Sequence, residues 1–271
     1  MVAQILALCN QKGGVGKSTT TFHLARSAVT KGLRVLVVDA DPQGNITSVL
    51  TEEVGDDVAG LADVLSARAS DTINDVVIDG IWNGLSVVPT AGETLGVVRD
   101  ELVVAGAGRE ARLKDALNKV RDDYDLVLID CAPSLDTLTI NSLTAATGVV
   151  VVTQSKLWSA NGLAKLLDTI AAVQAHYNPQ LRIAGILVNQ HESRTIGGAH
   201  WAEQIQEATT ARGLPLLQPP MPKRAIIADS AEAAQGLDEL GVDGLELAAL
   251  YDNYLDELMD DNYLDELMEK K

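Results

Sequence analysis

The chain has 271 residues, 46% hydrophobic, 3% aromatic and 22% charged, a balance that excludes wholesale disorder and suits one large α/β domain. No uninterrupted apolar run reaches the roughly 18 residues of a transmembrane helix, and two cysteines, Cys9 and Cys131, cannot make a disulfide framework. The 21 Lys and Arg against 38 Asp and Glu leave a formal charge of −17, the opposite of the usual basic footprint of a nucleic-acid binder.

In chain order, residues 2–9 (VAQILALC) form a short apolar run that reads as a buried strand. No basic stretch precedes it, so no secretory signal is expected and the cytoplasm is the expected compartment. NQKGGVGK follows, and then helical apolar spacing at Leu24, Ala25, Ala28 and Val29 within residues 18–30. Gly32 ends that helix, and residues 33–38 (LRVLVV) make a second strand. Strand, helix and strand in forty residues predict a βαβ unit, hence a parallel sheet with a right-handed crossover. Residues 51–80 are less regular, with a short helix expected near 61–67. Further strands are predicted at 85–88 (LSVV), 126–129 (LVLI), 148–152 (GVVVV) and 183–188 (IAGILV). Such unbroken branched runs are expected of parallel strands covered on both faces. The predicted fold is α/β: a doubly wound, mostly parallel sheet flanked by helices, with residues 1–251 as one domain and 252–271 as a helix end and acidic repeat tail.

That tail holds eight acidic residues and two lysines, and DNYLDELM occurs at 252–259 and again at 261–268. A nine-residue step turns a helix by about 180° beyond whole turns, so the two copies face opposite sides. Only one of them can present Leu255, Leu258 and Met259 to a common core. The first copy is therefore expected to end the last helix, with the second as an acidic tail; a peptide that docks on a partner is the alternative.

Residues 12–19 read Lys-Gly-Gly-Val-Gly-Lys-Ser-Thr between a strand and a helix. A triphosphate needs converging backbone N–H groups, and glycine lets the chain approach its oxygens closely. The helix start adds partial positive charge. Gly13, Gly14, Val15, Gly16, Lys17, Ser18 and Thr19 are the expected nucleotide cradle of a P-loop NTPase, with Lys17 on the β- and γ-phosphates and the Ser18 hydroxyl on Mg²⁺. Gln11 stands where the first glycine of G-x-x-x-x-G-K-[ST] belongs, and Lys12 is an additional lysine. Asp39-Ala-Asp41-Pro42-Gln43-Gly44-Asn45 ends the second strand, and an apolar strand ends in Asp130-Cys-Ala-Pro133-Ser. Carboxylates at strand ends beside a phosphate loop serve a metal ion and the attacking water.

With these motifs the sequence resembles the deviant Walker A family, KGGxGK[ST], which includes ParA partition ATPases, MinD, nitrogenase iron protein and cargo-positioning ATPases. The resemblance spans most of residues 2–235 and implies a slow, Mg²⁺-dependent ATPase that dimerises face to face on ATP. It assigns Lys12 to the partner's nucleotide, Asp41 to the hydrolytic water, Asp39 to the magnesium shell and Asp130 to the metal through a Walker B strand. It also implies that Cys-Ala-Pro-Ser senses the γ-phosphate. Asn189, closing IAGILVN, could pair with adenine, and Pro222 in Pro-Met-Pro-Lys resembles a loop covering the base, unless its prolines only stiffen a turn.

Within that family DPQGN and DCAPS favour the ParA branch. Neither Cys9 nor Cys131 is placed to clamp an iron–sulfur cluster. An acidic C-terminus disfavours the basic amphipathic helix of a membrane-targeted relative, and no N-terminal helix-turn-helix is expected. The resemblance then implies non-specific double-stranded DNA binding by the ATP dimer, nucleoid association, and a ParB-like or cargo-adaptor partner that stimulates hydrolysis. Lys156, Arg194, Lys223 and Arg224 are the candidate phosphate contacts. Two alternatives stand beside this: an ATP-switched positioner of a protein cargo with little DNA binding, and a P-loop enzyme with a small-molecule acceptor.

Overall fold

A computed structural model describes residues 3–52, 55 and 58–260, and of residues 157–162 the backbone alone. In chain order the elements are β1 (Gln4–Cys9), α1 (Lys17–Thr30), β2 (Val35–Ala40), α2 (Asn45–Leu50), α3 (Leu61–Leu65), α4 (Ile73–Val76), β3 (Ile78–Asp79), β4 (Leu85–Val88), α5 (Thr94–Val104), α6 (Arg112–Leu117), β5 (Leu126–Cys131), α7 (Thr137–Ala145), β6 (Gly148–Gln154), α8 (Leu157–His176), β7 (Arg182–Asn189), α9 (Ile196–Arg212), α10 (Ala225–Glu232) and α11 (Gly241–Met259). The strands form one sheet in the order β3-β4-β2-β5-β1-β6-β7. All neighbours are parallel except β3 against β4.

Alternation along each strand divides the apolar side chains between two layers. In β1, Ile5, Ala7 and Cys9 enter one core with α3, α5, α7 and α8, whereas Leu6 and Leu8 enter the other with α1, α10 and α11. Central strands are therefore covered on both faces, which is why they read as continuous apolar runs. The connection from β1 leads toward β2, and that from its neighbour β6 leads away toward β7. Where such paths diverge, a crevice opens at the carboxyl ends of the strands.

The strands outrun the apolar stretches. β2 continues through Asp39 to Ala40, β5 through Asp130 to Cys131, and β6 to Gln154, because these polar ends are themselves buried in the ladder. The two-residue edge strand β3 was not expected; it pairs Ile78 with Val87 and is too short to carry an alternating pattern. The expected helix near 61–67 is α3, where the Asp63 carboxylate accepts from the Gly60 N–H at 2.9 Å.

α11 is keyed to α1. Arg26 donates to Asp238, just ahead of α11, at 2.9 and 2.7 Å, and within α11 Asp252 accepts from Ser27 and Asp256 pairs with Lys31. The first DNYLDELM copy thus lies in α11, with Tyr254, Leu255 and Leu258 buried and Met259 partly so. The second copy, 261–268, lies outside the described residues.

Buried His23 of α1 supplies a pH-dependent contribution to stability. Its Nε2 bonds the Ile227 carbonyl at 2.9 Å, and burial pulls its pKa from 6.5 down to about 4. The unfolded chain takes up the proton first, so stability should fall as pH drops from about 6.5 toward 4, by about 3 kcal/mol in all. His23→Gln, which keeps a donor but cannot titrate, should be less stable than the native chain at pH 7 and lose that disadvantage in acid. Urea melts of the two at several pH values check this; a constant gap would rule it out.

Candidate nucleotide site

The loop between β1 and α1 is held in shape by its neighbours. Gly16 caps α1 at φ 88°, and a Cβ there would stand 2.4 Å from the Asn189 amide nitrogen, so only glycine fits. Among the described residues no side chain caps α1, which leaves its first N–H groups open to an anion. Asn189 Nδ2 donates to the Val15 carbonyl at 2.9 Å, and its Oδ1 accepts from Gln190 N–H at 2.8 Å. Both ends of the amide expected to meet adenine are thus engaged by backbone, and Asn189 is only 3% exposed; here it braces the loop. The Val15 side chain is buried in the core, so that residue offers the site its backbone.

Beside the loop lies a cavity of about 440 Å³, within the range of ligand pockets. Gly13, Gly14, Gly16, Lys17, Ser18 and Thr19 line it with Asp41, with Asn45 and Ser48 of α2, with Pro133 after β5 and with Glu232 of α10. Asn45 closes the DADPQGN motif, whereas Ser48 and the contribution of α10 belong to no recognisable motif. Asp41 accepts from Gln43 N–H at 3.0 Å and keeps its carboxylate on the cavity wall.

Behind that wall, strand register sets Asp39 directly opposite Asp130. Asp39 caps α2, accepting from Thr47 N–H at 3.0 Å and the Thr47 hydroxyl at 2.6 Å, and from Asp41 N–H at 3.1 Å. Burial, and then the nearby Asp130, push its pKa up to about 8. Asp130 is raised to about 6 by burial, against the opposing pull of the Ser18 hydroxyl and the Lys17 ammonium. Its Oδ1 accepts from the Thr21 hydroxyl at 3.3 Å, while Oδ2 is buried with no hydrogen-bond partner among the described residues. An orphaned carboxylate oxygen beside a serine hydroxyl fits a hard divalent cation such as Mg²⁺. Among the described residues no group of three or more His, Cys, Asp and Glu forms a metal cage.

Lys12 does not line the cavity. Its Nζ donates to Gln154 Oε1 at 2.9 Å, and its N–H to Asn10 Oδ1 at 2.9 Å. Gln154, the last residue of β6, and Gln190, just after β7, were not singled out from sequence; a lone amide carries no motif, and only its position beside the strand ends points to the site. Pro222 bridges to His191, which places it beside the segment that follows Asn189. Lys156, Arg194, Lys223 and Arg224 are all exposed on connections at this same edge of the sheet. Lys223 pairs with Glu192 at 2.5 Å, and Lys156 lies close enough to the same glutamate to lower its pKa.

A family model described as an AAA domain matches residues 3–183. The sporulation initiation inhibitor protein Soj of Bacillus subtilis is 39% identical over 206 residues, 76% of this chain and 80% of its own. The chromosome partitioning protein ParA of Caulobacter vibrioides is 35% identical over 228 residues, 80% of this chain and 84% of its own. Among solved structures, cobyrinic acid a,c-diamide synthase from Mycobacterium smegmatis with bound ATP analogue and magnesium superposes with a TM-score of 0.78 at 33% identity, covering 94% of this chain and 93% of its own. Fold, phosphate loop and relatives converge: the chain belongs to the ParA-type partition ATPases of the ParA/MinD superfamily.

Proposed function

We propose that this chain is an ATP-driven partition switch in which nucleotide binding joins two protomers face to face, the dimer binds double-stranded DNA without sequence preference, and a ParB-like partner triggers hydrolysis. The observation that carries the reading is the division of labour between two lysines of one loop. Lys17 is buried at the start of α1 and lines the cavity, whereas the Lys12 ammonium rests outside it on a neutral amide. One ammonium serves the protomer's own phosphates, and the other is available to a facing copy.

In this scheme Gly13 to Thr19 hold the phosphates, and Asp41 orients the attacking water. Ser18 and Asp130 hold Mg²⁺, with Asp39 steadying Asp41 and α2 behind them, and Pro222 flanks the base. When bound there, Mg²⁺ would neutralise charge that develops on the phosphates. Unassisted turnover of such sites is roughly 10⁻⁴ to 10⁻² per second. The protein would act in the cytoplasm, on the nucleoid; among the described residues no helix is long and apolar enough to cross a membrane.

Lys12→Ala should retain ATP binding within about threefold yet lose ATP-dependent dimerisation by about a hundredfold, as two charge-assisted contacts disappear per dimer. Light scattering with a non-hydrolysable analogue reads the outcome, and a normal dimer removes the bridging role. Mixed-sequence duplex tests the DNA arm: a gel shift that requires ATP and fades between about 50 and 200 mM salt is expected. The net charge of −17 and the Lys223–Glu192 pair favour a second reading, an ATP-switched positioner of a protein cargo with little DNA affinity. Absence of any ATP-dependent shift at low salt selects it.

A further inference from the structure

Gln154 is the last residue of β6 and only 5% exposed, so its amide needs partners on both ends. On the donor side, Nε2 reaches Gln190 Oε1 at 2.5 Å and the Gly14 carbonyl at 3.3 Å. Gln190 Nε2 reaches the same Gly14 carbonyl at 3.3 Å, from a backbone held in the left-handed region at φ 52°. Two amides thus hold that carbonyl, and neither glutamine belongs to the residues that line the cavity. With Nε2 engaged, the geometry leaves Oε1 to meet Lys12 Nζ at 2.9 Å.

From this arrangement we infer that Gln154 is a positioning residue for Lys12: it holds the extra ammonium within its own protomer until a facing copy offers phosphate oxygen, and so sets how readily protomers join. The inference rests on the reading of Lys12 as the bridge between protomers. A neutral acceptor suits the task. It makes a charge-assisted hydrogen bond strong enough to order a long flexible side chain, yet brings no opposite charge that would trap it. Bound nucleotide has only to exceed that hold to shift the population.

Gln154→Met keeps the length of the side chain and removes the acceptor. Gln190→Met removes a brace on Gly14 and leaves the acceptor in place, which makes it the control for loop loosening. In nucleotide-free protein, acylation of Lys12 by an amine-reactive ester, followed by peptide mass spectrometry, should be several-fold faster in Gln154→Met than in the native chain or in Gln190→Met. With Mg²⁺ and a non-hydrolysable ATP analogue, sedimentation velocity should show the Gln154→Met dimer tighter by at least about tenfold, since two lysines are released per dimer. Gln154→Glu, which adds a charge to the hold, should slow acylation and weaken the dimer. Equal Lys12 reactivity in native and Gln154→Met proteins overturns the hold, and faster reactivity without a tighter dimer overturns its control of pairing. A native chain that stays monomeric with nucleotide removes the bridging role of Lys12 and this inference with it, whereas a native dimer indifferent to Gln154 removes only the latter.

Discussion

Lys17→Ala is expected to weaken ATP binding by at least about a hundredfold, the loss of two charge-assisted bonds to phosphate oxygens. The substitution acts twice. It removes the cation that lines the cavity, and it removes the positive charge that holds the Asp130 pKa down. Asp130, already raised to about 6 by burial, would then favour its neutral form more strongly and present a poorer ligand to Mg²⁺. Nucleotide and metal affinity should therefore fall together. Titration with a fluorescent ATP analogue, with and without Mg²⁺, measures both, and affinity kept within tenfold would contradict the assignment of the loop. Lys17→Arg separates the two effects, because it keeps the charge but not the compact ammonium.

Asp41→Ala should have the complementary outcome: ATP bound as tightly as before, turnover reduced by about 10² to 10⁴ as water loses its orienting carboxylate, and the ATP-bound form accumulating. Asp41 makes this separation possible because the hydrogen-bond partner of its carboxylate among the described residues, the Gln43 N–H, is local, and the carboxylate stays on the cavity wall. Asp39 offers the contrast. Its oxygens anchor Thr47 and the Asp41 backbone, so Asp39→Ala should lower stability and loosen α2 as well as slow the reaction. Single-turnover hydrolysis beside thermal melts distinguishes the two aspartates. Unchanged turnover in Asp41→Ala would exclude that residue from the chemistry.

The sequence was most legible where chemistry forces both residue type and spacing. KGGVGKST, DADPQGN and DCAPS converge on one crevice because each follows a strand, and register carries Asp39 and Asp130 side by side. Strand interiors were equally plain, since burial on both faces leaves runs that are mostly apolar and rich in branched residues. Strand ends were less so: Asp39, Asp130 and Gln154 are polar yet buried, and an apolar-run criterion stops short of them. Support from outside the motifs was not legible at all. Gln154, Gln190 and Glu232 reach the site through tertiary placement, and no local pattern distinguishes them from surface residues. The engagement of Asn189 by the Val15 carbonyl follows from the close approach permitted by Gly16, a distance that no spacing rule contains.

The seam between α1 and α11 has a consequence for the chain's tolerance of deletion. Asp252 and Asp256 hold Ser27 and Lys31 while Tyr254, Leu255 and Leu258 fill the groove beneath. Because the octapeptide recurs nine residues later, excising residues 252–260 would leave Tyr251 joined to an identical DNYLDELM. Every handhold of the terminal helix would then be restored by a chemically equivalent side chain, one unit of the duplication standing in as a spare for the other.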